Sequence, residues 1–227
     1  MSKISAAFQS SLGHKLVMAL TGIFLISFLL FHLTINLLIF AMDGGQNFNY
    51  AAQFLGHNIV PRILEWGLML GFAIHIYQAL TLTRKNQKSR PEGYAYSRPD
   101  KNSEWYSRSM GILGTLILIF LIVHFSNFWI KTRFIGLSEA LDKNGNDNLA
   151  QLMFATFSFW WIVLLYDLAM VSLGYHLLHG FGSAFQTFGF NHRTYSPVIK
   201  FVGIVFSIMV PLLFASIPTA IFFHFIK

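Results

Sequence analysis

The 227 residues are 55% hydrophobic and only 11% charged, where a soluble domain carries about 25% charged residues. Long apolar runs place such a chain in a bilayer. The net charge of +7 lies in loops between those runs, which is the positive-inside pattern and not that of a nucleic-acid partner. Cysteine is absent, which excludes iron–sulfur clusters, thiolate zinc sites and thioether-linked haem on this chain.

A polar start leads into segment I, about residues 12–41, which carries His32. Its apolar run is longer than the roughly 7–15 residues of a signal-peptide core and lacks a convincing cleavage site, so no cleaved leader is expected. Residues 43–58 are rich in Gly and Asn and read as a loop. Segment II, about 61–83, has Pro61 suited to a first turn and carries His75. A basic loop fills 84–108, and segment III, about 109–130, carries His124. Residues 131–148 are polar, with a turn signal at Lys143-Asn144-Gly145-Asn146. Segment IV, about 152–185, carries His176 and His179 among glycines. A short loop precedes segment V, about 198–225, where Pro211 and Pro218 would bend the helix. Each segment is long enough to cross a ~30 Å hydrocarbon core. The expectation is one all-α membrane domain over 1–227 with five spanning helices.

Most of the 16 Lys and Arg lie at the N-terminus, in the II–III loop and around the IV–V turn. That bias puts the N-terminus on the cytoplasmic side. A weak internal repeat is also present. Leu29–Thr34 around His32 resembles Leu121–Ser126 around His124, and the stretch before His75 resembles the one before His176 more loosely.

An imidazole deep in an apolar segment is costly and marks a candidate site. Four segments each carry one. Counted from the inner helix edges, His32 lies ~24 Å and His124 ~21 Å deep, while His75 lies ~12 Å and His176 ~13 Å deep. The four form two levels roughly 10 Å apart. Each level has two imidazoles on different helices, which suits two bis-histidine haems, His32/His124 in the outer half and His75/His176 in the inner half. Two axial histidines leave no open position on iron, so such haems carry electrons. Gly67, Gly71 and His75 share one helix face, a groove for a porphyrin plate or a small-residue helix contact. His179, one turn after His176, is the alternative ligand.

Several stretches carry a resemblance to a known family. These are Ser10-Ser11-Leu12-Gly13-His14-Lys15 before Met18-Ala19-Leu20-Thr21-Gly22, Arg90-Pro91-Glu92-Gly93-Tyr94 with Ser107-Arg108-Ser109-Met110-Gly111, His124-Phe125-Ser126-Asn127-Phe128-Trp129, and Tyr175-His176-Leu177-Leu178-His179-Gly180 ending at Gly189. In that order the chain resembles the five-helix, two-haem cytochrome b membrane subunit of succinate dehydrogenase/fumarate reductase. The resemblance covers nearly the whole chain. It favours His176 over His179 as ligand and pairs segment I with III and II with IV. It implies two haems b, a flavoprotein and an iron–sulfur partner subunit on the cytoplasmic face, menaquinone or ubiquinone as redox partner, and a bacterial cytoplasmic membrane. Some members carry a proton-transferring glutamate two residues before the segment IV ligand; here that position is Gly174.

Other polar residues allow a role and a bland alternative. Ser11 and Lys15, with His14, sit at the inner edge as candidates for haem propionates or as headgroup anchors. Glu65 is a candidate for quinone proton transfer, or pairs with Arg62 one turn earlier. Asp167 reads as a polar contact inside segment IV. Tyr94, Tyr96, Trp105 and Tyr106 read as partner-contact or interfacial aromatics. Two other functions fit the same pattern of histidines: the di-haem cytochrome b of another quinone-linked complex (nitrate reductase, hydrogenase, formate dehydrogenase), and a histidine-lined transporter.

Overall fold

The computed structural model describes residues 10–88, 101, 103–137 and 141–226, which are helical with no strand among them. The Arg90–Tyr94 stretch, Tyr96 and the basic residues Lys3, Arg98 and Lys227 lie outside the described residues. Helix α1 is Ser11–Leu37, prolonged by a tighter turn over Leu38–Ala41. Next come α2 Gln46–His57, α3 Ile59–Lys88 and the short α4 Trp105–Arg108. Helix α5, Met110–His124, continues through two wide π turns, Phe125–Trp129 and Lys131–Ile135. The chain closes with α6 Leu149–Phe157, α7 Trp160–Thr187 and α8 Ser196–Phe222. Five helices are long and apolar enough to cross a membrane: Ser11–Ala41, Ile59–Lys88, Met110–Ile135, Trp160–Thr187 and Ser196–Phe222. The end of the bundle where α1 begins is called the near end below, and the opposite end the far end.

Two expectations need correction. Residues 43–58 are not simply a loop, because most of them form α2. Their Asn, Gln and Gly content hides an amphipathic helix that buries Phe48 and Asn49. Asp43 starts it, accepting the backbone N–H groups of Gly45 and Gln46 on Oδ1 and of Asn47 on Oδ2. That satisfies donors a helix start leaves orphaned. Segment IV is also two helices and not one. Phe159 is extended, with φ −92° and ψ 114°, and separates α6 from α7. The break lets α6 pack on α2 and α8.

The well-buried apolar cluster is at the far end, not mid-membrane. Ile39, Phe48, Ala150, Met153, Phe157 and Tyr166 belong to it, with Ile217 and Ile221 of α8. Its polar pin is Asn49, which is fully buried. The Asn49 Oδ1 accepts the Ala150 N–H at 2.8 Å, and its Nδ2 donates to Asn148 Oδ1 at 3.2 Å. Together these bonds fasten α2 to α6 as a cap over the bundle.

Helices α7 and α8 form the most extensive helix pair. Pro211 has no N–H, so the Ser207 carbonyl loses its helical donor. Gly174 lies against that oxygen, and a Cβ there would stand 3.2 Å from it. A side chain at this position would therefore need the Ser207 carbonyl to give by a few tenths of an ångström. Asp167 bridges the same pair, its Oδ2 accepting the Thr219 hydroxyl at 3.2 Å while Oδ1 is buried without a partner.

Asn49→Ala should lower stability by about 1–3 kcal/mol, because the Ala150 N–H is left buried and unpaired. Asn47→Ala, at an exposed neighbour in the same helix, should change it by under ~0.5 kcal/mol. Thermal unfolding of the detergent-solubilised chain checks the difference.

Candidate functional site

Helices α1, α3, α5 and α7 enclose one long cavity of about 1270 Å³. That exceeds the roughly 300–1,000 Å³ of an ordinary small-molecule site, so one such ligand would not fill it. Its middle is lined by Leu, Ile, Phe and Gly side chains. Lys15, Thr83, Asn86 and Gln186 stand at the near end, and Gln53, Thr132, Arg133 and Asp147 at the far end. The cavity is partly open, so its apolar walls are accessible from outside the bundle.

Four imidazoles line this cavity, and they meet in two pairs. His32 of α1 faces His124 of α5, with ring centroids 5.8 Å apart and ring planes at 87°. His75 of α3 faces His176 of α7 at 6.3 Å and 62°. An iron between two imidazole nitrogens, with bonds of about 2.0–2.1 Å, would put the centroids roughly 6 Å apart. Both gaps are close to that value. The pairs also occupy separate levels. His75 touches Thr21 on α1, whereas His32 lies three turns farther along that helix, ~16 Å of rise.

The donor chemistry fits a metal as well. Nδ1 of His124 and Nδ1 of His176 are buried with no hydrogen-bond partner. Among the described residues no three His, Asp or Glu groups converge to hold a metal by protein ligands alone. Two ligands per level suit a group that brings its own equatorial donors. The far pair sits in an aromatic shell, with Phe28 stacked on His32 at 5.2 Å and Phe120 and Phe128 at 5.5 and 5.4 Å from His124. Nothing matches this chain among family models, curated proteins or solved structures.

The expected glycine groove is elsewhere. Gly71 does not line the cavity; a Cβ on it would come within 2.8 Å of the Phe24 ring, so it serves close packing of α1 on α3. Gly67 is also off the cavity. Gly22, Gly114 and Gly180 line it instead, on three other helices. Periodicity along one helix could not reveal a wall shared by several.

The remaining candidates divide. Lys15 and His179 line the near end of the cavity, while Ser11 is exposed and outside its lining. His14 donates from Nδ1 to Oε1 of the buried Gln78 at 2.8 Å, tying α1 to α3. Trp105 packs on Tyr175 at 4.6 Å, which seats α4 beside the His176 turn.

Glu65 pairs with Arg133 and not with Arg62. Its Oε1 accepts from Trp129 Nε1 at 2.6 Å and Arg133 Nε at 2.9 Å, and its Oε2 accepts from Arg133 Nη2 at 2.6 Å. Trp129 and Arg133, four residues apart in the two π turns after His124, reach the carboxylate from one side. Arg62 instead donates to the Gly56 carbonyl, as does Arg133. The carboxylate opens on a recess of about 170 Å³ bounded by Arg62, Trp66, Trp129, Arg133 and Phe134.

Removing only one partner leaves an unmatched charge. Arg133→Leu should therefore destabilise the chain by about 1–3 kcal/mol, and Glu65→Leu added to it should restore part of that loss. A double-mutant cycle on unfolding midpoints reads the coupling.

Proposed function

We propose that this chain is the membrane-anchor cytochrome b subunit of a succinate:quinone oxidoreductase, with one haem b between His32 and His124 and a second between His75 and His176. The observation that carries the haem reading is the pair of facing imidazoles at each of two levels in one apolar cavity. Haem held in this way supplies one-electron transfer with no open position on iron. The choice of complex rests on the order of sequence motifs from Ser10 to Gly189.

The protein's own part is to orient and insulate. Two helices contribute to each pair, so the packing of α1, α3, α5 and α7 sets the spacing of the rings. Apolar walls keep water from the middle of the cavity, and polar groups at its two ends offer partners for carboxylates. Lys15 is the better propionate partner than Ser11, because it lines the cavity. Glu65 is the proposed proton-exchange group for menaquinone or ubiquinone. To act so it must release Trp129 or Arg133, whose three bonds occupy both carboxylate oxygens.

The flavoprotein and iron–sulfur partners would dock at the near end, on the cytoplasmic face of a bacterial membrane. The interconversion of succinate and fumarate belongs to the flavoprotein. Membrane lipid surrounds the exposed apolar faces, such as Leu164, Leu168 and Val171 of α7.

The chain purified with its partners should contain two haems and show b-type bands in a reduced-minus-oxidised spectrum. No haem would remove this reading and leave the transporter. His32→Ala or His124→Ala should cost one redox component, and His75→Ala or His176→Ala the other; His179→Ala should cost neither. Loss of the same component in His32→Ala and His75→Ala would overturn the two-level assignment. Succinate-dependent quinone reduction should require the soluble partners; its absence from the intact complex would favour another quinone-linked system.

A further inference from the structure

The four paired imidazoles are not equivalent in their surroundings. His124 and His176 have a buried Nδ1 without a partner. His32 meets only the Asn36 amide nitrogen, at 3.3 and 3.5 Å from its two ring nitrogens. That amide group donates to the His32 carbonyl at 2.8 Å, and an amide NH2 cannot accept. His75 differs, because its Nδ1 lies 3.0 Å from the Thr21 hydroxyl on the neighbouring helix.

The direction of that bond follows from proton counting. The Thr21 Oγ1 lies 2.9 Å from the Val17 carbonyl and 3.1 Å from the Met18 carbonyl. Carbonyls only accept, and a hydroxyl has one proton. A threonine within a helix commonly gives that proton to a carbonyl one turn earlier. The hydroxyl then offers a lone pair to His75. In that arrangement Nδ1 would carry the proton and Nε2 would keep the lone pair that a metal needs. The reverse direction would leave both carbonyl contacts without a proton.

We propose that Thr21 is a positioning residue for metal ligation by His75. It fixes the ring tautomer, holds the imidazole against α1 and makes Nε2 more basic. Gly22 lies beside the same ring, where an added Cβ would make an ordinary contact 3.8 Å from His75 Cε1. The inference rests on the haem reading and adds an asymmetry to it, because one axial ligand of the near haem is polarised by a hydroxyl. Greater basicity at that ligand favours ferric over ferrous iron. The near haem is thereby held at a lower potential than it would have without Thr21.

The test uses the full-length chain with Thr21→Val, which keeps the shape and removes the acceptor, and Thr21→Ser, which keeps the hydroxyl. In a redox titration Thr21→Val should raise the midpoint of the component assigned to His75 and His176 and leave the other unchanged. Thr21→Ser should match the parent. Loss of the near haem in Thr21→Val with retention in Thr21→Ser also supports the proposal. An unchanged midpoint in Thr21→Val, or equal effects of both variants, overturns it. A second readout does not need haem: the nitrogen-bound proton of His75 Nδ1, followed by imidazole nitrogen-15 spectroscopy of the reduced chain. A hydrogen-bonded proton should be present in the parent and Thr21→Ser and shifted or exchanged away in Thr21→Val. If the parent chain contains no haem, the haem reading fails by itself, and absence of that Nδ1 proton in the parent would separately sink the role of Thr21.

Discussion

Polar nitrogens facing one another across an apolar space between helices are the constraint on which the bundle depends. Neither imidazole of a pair can satisfy both its own nitrogens and its partner's within the hydrocarbon layer, where no water competes. The space between the helices is large, about 1270 Å³. Under the proposed reading, a group bound between the two rings of each pair would satisfy those nitrogens and occupy the space. The spanning helices that line the cavity pack on one another beside it, α1 on α3 and α7, and α5 on α7.

The buried apolar cluster lies where that constraint ends. At the far end the helices converge, and α2 and α6 close over them with Asn49 as the buried pin. Helix α8 supports the bundle from the side, its freed Ser207 carbonyl packed on Gly174. The same contact bears on a departure from the resembled family. A side chain at position 174 would need α8 to give by a few tenths of an ångström at the Ser207 carbonyl.

Symmetry and asymmetry meet at the two levels. The segments that resemble each other in sequence supply the two rings of each pair, I with III and II with IV. A duplicated helix pair would produce that arrangement from a single ancestral histidine on each helix. The surroundings of the two pairs differ. The far pair is enclosed by Phe28, Phe120 and Phe128, whereas the near pair has the Thr21 hydroxyl and a polar mouth with Lys15 and His179. Under the proposed reading, two chemically identical ligand sets would then hold their groups at different potentials.

Length and hydropathy alone determined the five spanning helices, because about 20 consecutive apolar residues have few other stable fates. Helix rise alone determined which histidines share a level, since depth along a spanning helix is proportional to residue number. Tertiary structure decided what lies sideways from each helix. Gly71 was legible as a small residue on the face of His75, but only packing shows Phe24 against it and the cavity elsewhere. Glu65 was legible as a charge near the end of a span, but its partner Arg133 is distant in sequence and reaches it through π turns that no periodicity announces. Helix α2 was hidden because its Asn, Gln and Gly content matches a loop, although Asp43 before Gly44-Gly45 was a usable start signal. The break at Phe159 has no proline or glycine to mark it and arises from the packing of α6 across its neighbours. Position along a chain carries depth; the rotation of each helix about its axis, and so the choice of partner, is set by the helices packed against it.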